Sequence, residues 1–297
     1  MWRLTVICVV LIGTPGLAQK CLSHDDRTIQ VHVRRVAIHS IQPLIKSHER
    51  QTVADIRRLG GDRSNDSWHD NLKDLAEEAE EIVKEAYQND GYSKAEAQAN
   101  VTIVRSGESH ASVDILVTAN PGEQYHLHEI RWTGMNRFTG EQLSALMPTR
   151  PGEIFNRRKV VDGIQALKTL YDSVGFINFT VFPNTEFDEA QKEISITMDI
   201  DEGDEFSLGS VFVSGFTRQQ LDQLDKLVQP LRGELYTPAV REQVGSKVAS
   251  LAPCREQPAV QMHVDERALT VSYFIDYSDC YDSWLESLDA APDLPSK

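Results

Sequence analysis

The chain has 297 residues, 40% of them apolar and 25% charged, which is enough material for two or more domains with separate cores. Its formal charge of −15 repels phosphate backbones and anionic lipid headgroups, which argues against nucleic acid as a partner.

The first 18 residues read as an export signal. Arg3 supplies the charge, residues 4–12 form a short apolar core, and Gly16 and Ala18 place small residues where a signal peptidase cuts. That core is too short to span a bilayer, and no other long apolar run follows. The mature chain is therefore expected to start near Gln19 in the periplasm or an equivalent exported compartment, with residues 19–27 as a lead-in. Gln19 and Lys20 stand where a lipidated cysteine at position 21 would need small residues. Cys8 leaves with the leader; Cys21, Cys254 and Cys280 remain where disulfides can form.

Further along, Glu77, Glu78, Glu80 and Glu81 mark the wet face of a helix whose Leu72, Leu75, Ala79, Ile82 and Val83 face inward. An alternating strand at 125–132 closes in a turn at Gly134, Met135 and Asn136. Thr139 caps a short helix carrying Leu143 and Leu146, which Pro148 and Pro151 terminate. Asn156 caps a second helix with Val160, Ile164, Leu167 and Tyr171 on one face, and Gly175 stops it. Residues 175–183, GFINFTVFP, read as a strand with large apolar groups on both faces, ended by Pro183. A turn region at 184–192 and an alternating strand at 193–200 complete this unit.

The same plan recurs. An offset of 81 carries Ile130 to Val211, Trp132 to Val213, Gly134 to Gly215, Leu143 to Leu224, Gly152 to Gly233, Phe155 to Tyr236 and Leu170 to Leu251. The same step relates Val113 and Ile115 to Ile194 and Ile196, and a step of 84 relates Tyr87 and Gly91 to Tyr171 and Gly175. The reading is α+β: three tandem β-α-α-β-β units at 28–123, 124–205 and 206–279, each a three-stranded mixed sheet covered by two helices, followed by an acidic tail at 280–297. The first unit diverges, lacking the glycine turn after its opening strand.

In the last unit, residues 260–264 and 269–275 form a hairpin around Glu266, so facing residue numbers sum to about 533. Cys254 and Cys280 sum to 534, which brings them together at the open end of the hairpin as a disulfide. Cys21 is then left over. His126 and His128 lie two apart on one strand without a third ligand nearby, so no metal site is assigned. Arg157, Arg158 and Lys159 open a helix as a solvated cluster or an interdomain contact. No nucleophile elbow, zinc-protease helix, phosphate loop or Cys-x-x-Cys motif occurs; neither an enzyme nor a cofactor is expected.

The ordered set IRWTG at 130–134 with Phe138, GEIF at 152–155, Leu170 and Tyr171 with Gly175 and Phe176, and IDEG at 200–203 resembles the polypeptide-transport-associated (POTRA) domain found in tandem before outer-membrane assembly barrels. The resemblance implies a non-enzymatic periplasmic scaffold in outer-membrane protein assembly or secretion. Its partners would be extended polypeptide clients or an outer-membrane barrel protein, and it would not itself insert in the membrane. It further implies that the second strand of each unit lies at a free sheet edge. The partner-binding residues would then be Phe176, Ile177, Asn178, Phe179, Thr180, Val181 and Phe182 in the middle unit and Val260, Gln261, Met262 and His263 in the last. An accessory subunit docking on a separate barrel or on a cell-division complex, and an enzyme with a site between units, are the alternatives.

Overall fold

The computed structural model describes residues 28–64, 68–107, 109–252 and 258–278. The expected export signal, all four cysteines and the acidic tail lie outside these residues.

Among the described residues, ten strands and six helices build three separate sheets, each with its own hydrophobic core. The first unit contains β1 (Thr28–Ser40), α1 (Lys46–Arg58), β2 (Gly61–Ser64), α2 (Trp68–Asn89), β3 (Glu96–Ser106) and β4 (His110–Asn120), in the sheet order β2-β1-β4-β3. Four strands occur here rather than three. The additional strand, β2, contains no apolar side chain and is held by antiparallel pairing of residues 61–64 with residues 28–31 of β1. Leu75, Ala79 and Val83 on α2 are fully buried against Val113, Ile115 and Val117 of β4, and Glu77, Glu78 and Glu81 are exposed as the spacing requires, whereas Glu80 is half-buried and accepts from Ala99 N of β3 at 2.9 Å.

The second unit contains β5 (His126–Thr133), α3 (Gly140–Leu146), α4 (Arg157–Asp172), β6 (Thr180–Asp188) and β7 (Glu193–Asp201), ordered β5-β7-β6. Its helices begin where the sequence places them. Thr139 and Gln142 form a reciprocal capping box on α3, and the Asn156 side chain accepts from Lys159 N on α4. β7 is central, parallel to β5 and antiparallel to β6, and its Ile194, Ile196, Met198 and Ile200 are buried under the helices.

The third unit repeats this with β8 (Ser207–Ser214), α5 (Arg218–Val228), a 3-10 turn at Gln229–Leu231, α6 (Pro238–Ala249), β9 (Ala259–Asp265) and β10 (Thr270–Asp276), ordered β8-β10-β9. Facing residues of β9 and β10 sum to 535, not 533. The turn causes the difference: Asp265 accepts from Arg267 N and Ala268 N, and Leu269 adopts φ +52°, so the hairpin closes with four residues between the strands.

One joint links successive units, and it is made twice. Gly91 C=O accepts from Tyr125 N at 2.9 Å, and Tyr125 C=O accepts from Phe155 N at 2.9 Å; 81 residues on from Tyr125 and Phe155, Gly175 C=O accepts from Phe206 N at 2.9 Å and Phe206 C=O from Tyr236 N at 2.8 Å. Gly91 and Gly175 both sit at φ +90°, a conformation that side chains rarely adopt. Space is short as well: a Cβ at Gly91 would lie 2.5 Å from Ile154, and one at Gly175 would lie 3.1 Å from the Phe206 carbonyl oxygen. Polar contacts seal both joints. Asn156 Nδ2 donates to Asn89 C=O at 2.5 Å and Arg157 meets Glu85 at 3.3 Å, while Arg241 grips Asp172 with both guanidinium nitrogens at 2.9 and 2.5 Å. Of the basic cluster at 157–159, the Arg157 side chain makes an interdomain contact, while those of Arg158 and Lys159 pair with Asp162 and Glu153 of their own unit.

Candidate functional site: a free sheet edge beside an apolar groove

Among the described residues β6, nine residues long, pairs with β7 on one side and with no strand on the other. The strand begins later than the sequence suggested. Residues 175–179 form turns after α4, and the strand runs on through Pro183 to Asp188, a stretch whose polar residues read as a turn. Proline is tolerated there because an edge strand need not donate on both sides.

This shift divides the expected binding residues. Phe176, Ile177, Asn178 and Phe179 precede the strand. Phe179 is buried and stacks on Tyr171 with centroids 4.2 Å apart, Phe176 meets the same ring edge-on at 5.9 Å, and Ile177 packs against the core of the third unit. These three apolar side chains serve the core and the joint because the α4 end and the next unit converge on them. Thr180, Val181 and Phe182 do lie on the free strand, with Val181 turned toward the core and Phe182 63% exposed. In the third unit Val260, Gln261, Met262 and His263 all lie on the outer strand β9 and are exposed, Met262 by 62%.

Beside β6 runs a cavity of about 320 Å³, bounded by Pro183, Thr185 and Phe187 of the strand and by Val160, Val161 and Ile164 of α4. Val161 is 44% exposed and Phe187 40%, so the walls are apolar but unfilled. Phe187 is positioned by an edge-on contact with Tyr125 at 5.3 Å and by the Lys94 ammonium 4.7 Å above its ring. Lys94 is held by Glu189, which also accepts from the Tyr125 hydroxyl at 2.7 Å. Hydrogen bonds from Lys94 and Tyr125 hold the Glu189 carboxyl below its ordinary range. The opposite end is fixed by Glu202, whose carboxylate accepts from Asn136 N and Arg137 N at 2.9 Å and from the Tyr171 hydroxyl at 2.7 Å. Burial pushes the Glu202 pKa up, but these donors prevail and lower it.

The groove residues Val161 and Phe187 were missed from sequence. Their signal was present: Val161 is apolar off the buried stripe of α4, and Phe187 is aromatic inside an otherwise polar segment. His128 pairs with Glu193 at 2.9 Å, and among the described residues no group of three or more metal-ligating side chains occurs. No helix of the described residues is long and apolar enough to cross a membrane.

Residues 125–203 match the family model for POTRA, described as a surface antigen variable number repeat. The middle unit is a POTRA domain. Its neighbours share the fold. The crystal structure of POTRA domains 3–5 of BamA from Haemophilus influenzae superposes with a TM-score of 0.55 at 16% identity, covering 88% of this chain and 100% of that one. POTRA domains 1–3 of the periplasmic domain of Omp85 from Anabaena match at 15% identity and TM-score 0.33, covering 84% and 95%. The isolated POTRA4 of H. influenzae BamA matches at 28% identity and TM-score 0.26, covering 27% of this chain and 94% of that one. The chain as a whole thus shares the fold of a tandem POTRA array, and among the described residues none of the three sheets closes into a barrel.

Proposed function

We propose that this chain is an exported scaffold that holds extended polypeptides during outer-membrane protein assembly or secretion, binding them as an added strand along β6. The reading rests on one observation: among the described residues no strand pairs with the outer side of β6, and an apolar groove lies next to it, where alternate side chains of a visitor would enter. Main-chain pairing gives affinity without demanding a sequence, and the groove adds a preference for apolar residues at every second position. Ordering the visitor, at about 1 to 2 kcal/mol per residue, offsets most of what the new main-chain hydrogen bonds contribute at about 0.5 to 1.5 kcal/mol each, so the complex is weak and suited to transient holding. β9 of the third unit offers a second edge of the same kind.

A photo-crosslinking amino acid at Asn184 or Glu186, introduced in the cell envelope, tests this. Capture of many outer-membrane polypeptides is the expected result. A single stoichiometric partner would replace client holding by docking on one barrel or division protein, and labelling no stronger than at Lys168 on the exposed side of α4 would overturn the edge as a binding site.

A further inference from the structure

β3, β6 and β9 each end a sheet, and by length β3 should be the best template for an added strand: it has eleven residues against nine and seven, and no proline. Its border is nonetheless occupied. In an antiparallel ladder every second residue turns its amide away from the partner strand. Ala99, which faces Val117, turns its amide outward and gives it to Glu80 Oε1 of α2 at 2.9 Å. The helix comes close enough because the inward side chains at this end of β3 are small: Ala95 and Ala97 are buried and Ala99 is half-buried in the core that α2 covers. Two residues back along α2, Glu78 accepts from Arg63 of β2 at 2.9 Å, so one helix helps to close both borders of the first sheet.

The same register position differs in each unit. Val117 and Met198 lie one 81-residue step apart, and the residue facing Met198 is Pro183, which has no amide to offer. Trp132 and Val213, separated by the same step, face Met198 and Ile275. The residue facing Ile275 is Val260 of β9, for whose amide no side-chain acceptor occurs among the described residues.

We infer that Glu80 is a guard: it withholds the β3 border from extended polypeptides and so decides that they enter the array at β6 and β9. The guard rests on the strand-holding role proposed above and assigns that role to particular units. A carboxylate oxygen 2.9 Å from the Ala99 nitrogen stands where a visitor's carbonyl oxygen would have to dock. Its hydrogen bond is charge-assisted, hence stronger than the neutral one that would replace it. Pro183 interrupts β6 permanently, whereas the block on β3 is a side chain and is lifted by one substitution.

A photo-crosslinking amino acid at Asn100 on β3, with Asn184 on β6 as the reference, tests the guard on the full chain, using a short peptide of alternating valine and threonine as the visitor. With Glu80 in place, labelling at Asn100 should be far weaker than at Asn184. Glu80→Ala, which keeps a good helix former on α2, should raise labelling at Asn100 about tenfold, the equivalent of one charge-assisted hydrogen bond, and leave Asn184 unchanged. Glu80→Gln, whose amide oxygen can still accept, should stay close to the unaltered chain. Hydrogen exchange at the Ala99 amide should accelerate in Glu80→Ala and not in Glu80→Gln. Equal labelling at Asn100 and Asn184 in the unaltered chain overturns the guard, as does a Glu80→Ala chain that labels at Asn184 but gains nothing at Asn100. Labelling at neither position in any of these chains overturns the strand-holding role, and the guard with it.

Discussion

Alanine at Gly91 tests the joint between the first two units. Two penalties add. Holding a side chain at φ +90° costs about 1 to 2 kcal/mol, and the new Cβ, 2.5 Å from Ile154 Cγ2, must displace that side chain at a further cost of about 1 to 3 kcal/mol. Gly91→Ala should therefore lose about 2 to 5 kcal/mol in urea unfolding of the full chain. Ile154 is 44% exposed, so Ile154→Ala alone should lose no more than about 1 kcal/mol. Combined, the two should cost less than their sum by about 1 to 2 kcal/mol, because removing the isoleucine makes room for the methyl group. Additive losses would refute the close approach, and an unchanged midpoint in Gly91→Ala would refute the joint altogether.

Three further outcomes follow from the same geometry. Glu202 is held below its usual pKa by the Asn136 and Arg137 amides and the Tyr171 hydroxyl, against the opposing effect of burial, so its contribution is complete above the ordinary value of 4.5 and disappears as pH falls through the lower, folded value; pH-dependent melting should weaken over that acid window, and Glu202→Gln should flatten the dependence. Removing the two-pronged contact with Asp172 by Arg241→Ala should cost about 1 kcal/mol or less yet widen the distribution of angles between the last two units in small-angle scattering, and Arg241→Lys should not restore it, since an ammonium cannot make both bonds. The Cys254–Cys280 disulfide expected from the sequence falls outside the described residues, and intact mass tests it: a rise of about 2 Da on reduction is the expected outcome, and an unchanged mass would rule the bridge out.

The repeat was legible because the 81-residue step preserves what a buried core demands: Leu143 and Leu224, Val113 and Ile194, Phe155 and Tyr236 fill equivalent places. Helix starts were legible too, since Thr139 and Asn156 satisfy orphan amides that some residue at those positions had to satisfy. Elements without a burial requirement were not. β2, with the sequence GDRS, is held by backbone pairing and by Arg63, which reaches Glu78 and the Leu59 carbonyl, without any apolar side chain, and the second half of β6, NTEFD, lies at an edge where no face is fully covered. For the same reason the edge was placed too early in the chain. The apolar side chains of Phe176, Ile177 and Phe179 suggested a strand, but they were apolar because a helix end, a core and a neighbouring unit meet there. The hairpin register depended on Leu269 at positive φ, which a leucine does not advertise.

Pro183 interrupts the exposed border of β6 near its middle. A ring without an amide hydrogen is a poor template for identical strands, so two copies of the array resist zipping together edge to edge. Under the proposed role, a passing segment would be gripped on either side of that gap only in short runs, so release would follow from the main chain itself.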